Sequence, residues 1–240
     1  MTARPENPTF VDKPKSRRSA QRKDEFIRAA LDLFSERGVG VVTIKDIANH
    51  VGCNSSLIYY YFESKDDLVK NSIEPCITEF YDYYTEMISD SKDPVTRLLA
   101  WLETHILKYE QISKITQITA NYRPSTEGDG RVNRYIEWYY SGERKIISDA
   151  ISAGIKSGVF QKVDADSSAE FIATHLDGIM IRETYLPNFD PIAAIRRLAD
   201  VMWQMLSYRG ERRLEQSQGV PGAVRRGGGG KRAQASRKNA

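Results

Sequence analysis

Apolar residues recur along this chain at the three- and four-residue spacing of helices. Near the N-terminus, Phe26, Ala29, Ala30, Leu33 and Phe34 fall on one helical face. Similar spacing continues to about residue 208, and no segment shows the strict alternation of a strand. The pattern predicts an all-α protein.

Helix-capping signals divide the first third of the chain into short segments. Thr43 and Asp46 have the spacing of a capping box, and Gly52 can end that helix in a left-handed conformation. Asn54 can cap a third short helix, and Ser64 opens a longer fourth one. We therefore predict three short helices that begin near Ser16, followed by a long helix that leads away from them.

The rest of the chain is predicted as longer helices. Residues 95–112 form one amphipathic segment, and Pro124 with residues 127–130 breaks the chain before the next. Either Asp164 or Asp166 caps a helix that runs to residue 186, and a last helix occupies residues 191–208.

Residues 57–62, LIYYYF, have the composition of a β-strand. The caps on either side leave only a short segment between two helices, so we predict a helix here. Ile58 and Phe62 then point inward, while Tyr59, Tyr60 and Tyr61 spread over a wide arc. Either one tyrosine packs on the first helix and the others are partly exposed, or their hydroxyls reach DNA phosphates.

The second and third short helices have the features of a helix-turn-helix. Ala48 is small enough for the helices to cross closely, Gly52 suits the turn, and Val51, Cys53 and Ile58 supply apolar contacts. This pattern predicts a DNA-binding unit.

The charge distribution supports contact with a polyanion. Residues 1–23 carry a net charge of +5 and residues 209–240 a net charge of +7, whereas residues 24–208 carry −9. Residues 24–66 alone have a net charge of −3, so we expect the basic segment 13–23 to attract phosphates. For the C-terminal tail at 209–240, a solvated basic end is the favoured interpretation.

The sequence contains no motif typical of a metal site, a cofactor site or an enzyme. Cys53 and Cys76 have no zinc-site spacing and are predicted to be small buried residues, so we expect no metal and no cofactor. No metalloprotease, hydrolase, P-loop or dinucleotide motif occurs, so an enzyme is not expected. We find neither a membrane span nor a signal peptide, which predicts a cytoplasmic protein.

Residues 26–68 resemble the DNA-binding region of the TetR family of transcriptional regulators. The resemblance rests on the segment AALDLFSERGVGVVT and on a motif that follows it. That motif comprises Thr43, Ile47-Ala48, Val51-Gly52, Ile58-Tyr59, Tyr61-Phe62, Lys65 and Leu68. Tyr61 stands where the family more often has histidine.

The resemblance implies a set of DNA-binding residues. Thr43, Tyr59 and Lys65 would contact phosphates, with Tyr60 and Tyr61 beside them, and Lys45 would lie at the groove edge. Ser55, Ser56 and Leu57 would face base edges in the major groove, following the capping residue Asn54.

The resemblance also implies a larger helical domain that dimerises and binds a small effector. The implied organisation is a disordered arm at 1–15, a helix-turn-helix domain at 16–66, an effector-binding and dimerisation domain at 67–208, and a disordered basic tail at 209–240. The implied partners are palindromic double-stranded operator DNA, a second copy of the chain and an effector of unknown identity. Candidate effector-binding residues are Trp101, His105, Tyr109, Tyr122, Trp138, Tyr139 and His175.

The resemblance predicts a sequence-specific regulator, usually a repressor that an effector releases from its operator. The alternative is an architectural DNA-binding protein without an effector. A discrete palindromic footprint favours the regulator, whereas sequence-independent coating favours the architectural protein.

Overall fold

A computed structural model describes residues 17–123 and 130–210, which form nine α-helices and no strand. The all-α fold class is confirmed. The predictions for residues 1–16, for the break at 124–129 and for the tail beyond residue 210 lie outside the described residues. The helices are α1 Arg17–Arg37, α2 Ile44–Val51, α3 Ser55–Tyr61, α4 Lys65–Ile88, α5 Pro94–Leu107, α6 Tyr109–Asn121, α7 Arg131–Lys156, α8 Ala165–Tyr185 and α9 Pro191–Met205.

The predicted caps form as local hydrogen bonds. The backbone N–H of Asp46 donates to Oγ1 of Thr43 at 3.1 Å, and the Thr43 N–H donates to the Asp46 carboxylate at 2.8 Å. Gly52 ends α2 with a φ of 75°, and Asn54 caps α3. Of the two candidates for α8, Asp164 is the cap. These bonds satisfy backbone groups that a helix end leaves open.

The tyrosine segment is helical, against its local strand propensity. Ile58 is fully buried and Phe62 is 2% exposed, and these two side chains anchor α3 and the turn after it to the core. Tertiary burial therefore overrides local propensity in this segment.

Residues 95–112 form two helices rather than the single helix that the sequence predicts. The chain bends at Lys108, whose φ of −103° and ψ of 21° lie outside the helical range. Its Nζ lies 2.6 Å from Oε1 of Glu79 and 4.9 Å from the centroid of the Tyr83 ring, both on α4. We attribute the bend to this packing, because no glycine or proline lies there.

Helix α4 connects the helix-turn-helix to the C-terminal helices. It buries Leu68 and Ile73 near its start and Phe80 and Tyr84 further along, so one apolar core runs through both parts. Pro75 lies inside this helix and lacks the N–H that would continue the backbone hydrogen bonds. The helix therefore joins the two parts through a continuous core, and its backbone hydrogen-bond ladder is interrupted at Pro75.

Candidate nucleic-acid interface and effector region

Helix α3 presents an exposed aromatic and polar face. Tyr59 is 56% exposed and Tyr60 is 70% exposed, and Ser56 is also exposed. The buried Ile58 holds the helix from its opposite side. Large exposed aromatics with free polar tips are suited to contacts with another macromolecule.

Tyr61 differs from its two neighbours. Its ring lies 5.6 Å from the ring of Phe26 on α1, and its hydroxyl accepts a hydrogen bond from Ser19 Oγ at 3.4 Å. One tyrosine therefore packs on the first helix while two face solvent. The placement separates Tyr61 from the exposed pair and gives it a packing role.

Thr43 and Asn54 are already engaged as caps. Both the N–H and the hydroxyl of Thr43 donate to Oδ2 of Asp46, at 2.8 and 2.6 Å, and these bonds lower the pKa of that carboxyl. Oδ1 of Asn54 accepts from the N–H and the hydroxyl of Ser56, both at 3.0 Å. A phosphate contact by Thr43 would require one of its donors to leave Asp46.

The other predicted DNA-binding residues differ in their exposure. Lys45 is exposed on α2, and Ser55 is half-buried in the first turn of α3. Leu57 packs partly against the core. Lys65 is the first residue of α4, and partial burial lowers the pKa of its ammonium group.

The first turns of α1 line a groove beside α3. Arg18, Gln21 and Arg22 lie on one wall, and Leu57 and Tyr60 lie on the other. These arginines belong to the basic segment that the sequence analysis assigned to phosphate attraction. The structure thus places part of that charge next to the exposed tyrosines.

Four of the predicted effector residues are linked through the core of the C-terminal helices. The ring centroids of Trp101 and His105 are 4.4 Å apart on α5. Phe80 of α4 lies 4.7 Å from His105, and the adjacent Tyr81 lies 5.8 Å from Trp138 and 6.5 Å from Tyr139. These residues form one aromatic cluster between α4, α5 and α7.

The other three predicted effector residues have different surroundings. Tyr122 is buried just after α6, and Tyr109 at the start of α6 donates to Glu183 of α8 at 2.5 Å. Burial and Glu183 raise the pKa of the Tyr109 hydroxyl. His175 is exposed on α8, 6.0 Å from the ring of Phe171, so it belongs to an outer surface.

Sequence reasoning missed two carboxylates beside the aromatic cluster. Glu143 of α7 is 3% exposed, and its Oε1 lies 3.2 Å from Nε2 of His105. Asp177 of α8 is half-buried, and burial together with Glu143 raises its pKa to about 7. The signal was available, because Glu143 follows Tyr139 by four residues and precedes Ile147 by four, on an otherwise apolar face.

The outer surfaces of α8 and α9 expose apolar side chains. Phe171 is 53% exposed and Val201 is 48% exposed. A shallow groove between the two helices brings them together with Gly178 and Ala194. Exposed apolar residues that share one face are typical of an interface.

In residues 17–123 and 130–210 no group of three or more His, Cys, Asp or Glu is placed to hold a metal ion. The helices of those same ranges include none that is long and apolar enough to cross a membrane.

The fold and the exposed face of α3 define a helix-turn-helix DNA-binding protein with a helical companion domain. The family model for bacterial regulatory proteins of the tetR family matches residues 26–71. Residues 26–71 therefore form a DNA-binding region of the TetR type.

Known relatives agree with this assignment. The transcriptional repressor KstR2 of Rhodococcus jostii is 26% identical over 154 residues, which cover 63% of this chain and 74% of that protein. The solved structure of the ketosteroid regulator KstR2 of Mycobacterium tuberculosis is 23% identical, with a TM-score of 0.62 over 78% of this chain and 93% of that one.

A second solved structure is a regulator from Saccharomonospora viridis in complex with choline. It is 21% identical, with a TM-score of 0.62 over 76% of this chain and 96% of that one. At these identities, the two solved structures support the fold.

Proposed function

We propose that the chain is a dimeric transcriptional repressor that leaves a palindromic operator when a small effector binds. The observation that carries this function is the exposed face of α3. Tyr59, Tyr60 and Ser56 face solvent while Ile58 holds the helix in place. In a helix-turn-helix, this helix lies in the major groove.

The residues of this surface have separate roles. Tyr59, Tyr60, Lys45 and Lys65 contact the DNA backbone, which fixes the register of the protein on the duplex. Ser55, Ser56 and Leu57 face base edges and select the sequence. Thr43, Asn54 and Tyr61 position these groups, because their polar atoms are engaged in caps or in the contact with α1.

A two-fold dimer accounts for the exposed face of α8 and α9. A single short recognition helix reads few base pairs, whereas a dimer reads two half-sites about 34–36 Å apart. Phe171 and Val201 would become buried against the partner, and Gly178 allows close approach. We assign residues 16–66 to DNA binding and residues 67–208 to dimerisation and effector binding.

Two ion pairs and α4 couple the effector region to the DNA-binding unit. Lys114 of α6 lies 2.6 Å from Asp32 of α1, and Arg131 of α7 lies 2.8 Å from Glu63, just before α4. A ligand that displaces α6 or α7 would move the recognition helix through these contacts. A difference of about 1–3 kcal/mol in effector affinity between the two states is enough for regulation.

The similar proteins do not identify the effector. One is named for ketosteroids, one was solved with choline, and another was solved with triclosan. Their ligands differ in charge and shape, so the chemistry of the effector has to come from the residues of this chain.

The test of the proposed function is selection of bound sequences from random duplex DNA, followed by footprinting. A regulator enriches one palindrome and protects it as a discrete footprint. Coating without sequence preference would contradict the proposal and support the architectural alternative. The selected duplex then serves to screen small molecules for release.

A further inference from the structure

His105 of α5 and Glu143 of α7 form a buried polar pair. Nδ1 of His105 lies 2.8 Å from the carbonyl oxygen of Trp101, and a carbonyl only accepts hydrogen bonds, so Nδ1 carries the hydrogen. Nε2 then faces Oε1 of Glu143 at 3.2 Å. Among the described residues Nε2 makes no hydrogen bond, so the pair leaves one buried polar atom without a partner.

Asp177 of α8 adds a second carboxylate, which interacts with Glu143. Burial and the charge of Glu143 act on it, and both raise its pKa. Within the described ranges, no lysine or arginine contributes an opposing effect on this group. When Asp177 is ionised, the region between α5, α7 and α8 therefore carries an unmatched negative charge.

The carboxylates lie among aromatic rings. Glu143 and Asp177 both raise the pKa of the Tyr139 hydroxyl, after burial as the main cause, which places all three groups in one region. Trp101 is fully buried next to His105, and among the described residues its Nε1–H has no acceptor. A buried donor without an acceptor is uncommon in proteins and calls for an explanation.

We propose that Glu143 and Asp177, with the rings of Trp101, Trp138 and Tyr139, bind a small organic monocation that also carries a hydrogen-bond acceptor. An ammonium group would balance the Asp177 charge and lie against aromatic faces, which attract cations. Its acceptor would satisfy the Trp101 N–H.

A metal ion is a poorer occupant than an organic cation. The described residues bring no three metal-binding side chains together, and a bare divalent ion needs more oxygen or nitrogen ligands than two carboxylates and one engaged histidine supply. An anionic ligand would be repelled by the carboxylates. This proposal rests on the proposed function in one respect, because it takes this cluster as the effector site.

The test compares two molecules of the same shape that differ in charge. Titration calorimetry on the full chain uses choline and its neutral isostere 3,3-dimethylbutan-1-ol, without DNA. We expect choline to bind at least about tenfold more tightly than the alcohol. Equal affinities, or no binding of either compound at about 10 mM, would overturn the proposal.

Variants connect any binding to the named residues. E143Q and D177N keep the size of each side chain, and each should weaken choline binding by about tenfold or more. D149N changes a carboxylate of α7 that pairs with Lys145, and it should leave binding unchanged. If E143Q and D177N both bound choline like the parent, the assignment would be wrong. Thermal melting of each variant identifies any that fails to fold. If E143Q does not fold, D177N still tests the assignment, because its position is only half-buried.

The cation site and the regulatory role can fail separately. Operator affinity is measured with and without saturating choline. Binding of choline with unchanged operator affinity would support the cation site and contradict the effector role of this cluster. The protein could also bind its operator but bind choline and the alcohol equally. That result would support the DNA-binding function and overturn the cation site.

Discussion

Nζ of Lys114 on α6 lies 2.6 Å from Oδ1 of Asp32 on α1, so an ion pair joins the C-terminal helices to the first helix of the DNA-binding unit. The two side chains are 40% and 48% exposed. Exposed pairs of this kind contribute about 0–1 kcal/mol. We therefore expect the pair to affect the relative orientation of the two units more than the stability of either.

K114A should weaken operator binding by about two- to fivefold and should hardly change the melting temperature. The loss should shrink at high salt, because screening already weakens the pair. Fluorescence anisotropy at two salt concentrations measures it. K145A is the matched control, since it removes an ion pair within α7. Equal losses in the two variants would contradict a role for Lys114 in coupling.

Y59F should weaken binding to operator and to unrelated DNA alike, because a phosphate contact carries no sequence information. Loss of one hydrogen bond of about 0.5–1.5 kcal/mol corresponds to roughly two- to tenfold per protomer. Anisotropy with both duplexes provides the measurement. Y61F should have the smaller effect, because that ring packs on Phe26. An unchanged affinity of Y59F at near-physiological salt would be evidence against the phosphate contact.

F171E should convert the dimer to a monomer, because a carboxylate would replace an exposed aromatic ring that lines the groove between α8 and α9. Light scattering at micromolar concentration reports the mass. L107E is the control, since Leu107 is 42% exposed on α5, away from that face. A parent protein that is already monomeric, or an F171E variant that stays dimeric, would exclude this interface.

D177N should gain stability relative to the parent as the pH rises from 4 to 7. The folded-state pKa of Asp177, about 7, lies above its ordinary value of 3.8 because of burial and the charge of Glu143. In that window the unfolded chain loses a proton that the folded protein keeps, so the parent loses stability with rising pH. The difference at pH 8 reaches at most about 4 kcal/mol, since one pKa unit corresponds to about 1.4 kcal/mol.

Denaturant unfolding at pH 4.5 and pH 8 measures this effect. D164N is a control for which we expect the opposite pH dependence of stability, because the hydrogen bond from the Ser167 backbone lowers the pKa of Asp164. Relative to the parent, D164N should lose stability as the pH rises. A pH-independent difference between D177N and the parent would show that Asp177 is not held in the environment described.

G154A should destabilise the fold by about 1–3 kcal/mol, the usual cost of overpacking a core. A Cβ at this position of α7 would lie 2.0 Å from a ring carbon of Phe160, which is only 4% exposed and cannot move freely. Denaturant unfolding measures the loss. G40A is the control, because a Cβ there would meet no atom within 4 Å. Equal stabilities of G154A and the parent would show that the ring can repack.

Local hydrogen bonding explains why so much of the fold was predictable from the sequence. The caps at Thr43, Asn54 and Ser64 each join groups no more than three residues apart, so the residue types alone indicate them. The buried faces of α1 and α2 follow the spacing of their apolar residues in the same way. The helix-turn-helix and its family motif are local features of this kind.

Contacts between distant segments determine the features of the fold that the sequence did not predict. The bend at Lys108 accompanies its contacts with Glu79 and Tyr83, which no local pattern reveals. The sequence left the three tyrosines with two interpretations, and packing against Phe26 separated Tyr61 from the other two.

The candidate effector site shows the same division. His105 and Glu143 are 38 residues apart in the chain, and only the packing of α5 on α7 brings them together. The sequence by itself determined most of the helices, their caps and the DNA-binding motif, because these depend on residues close along the chain. Tertiary structure decided which aromatic and charged side chains share a buried region, because burial depends on how whole helices pack.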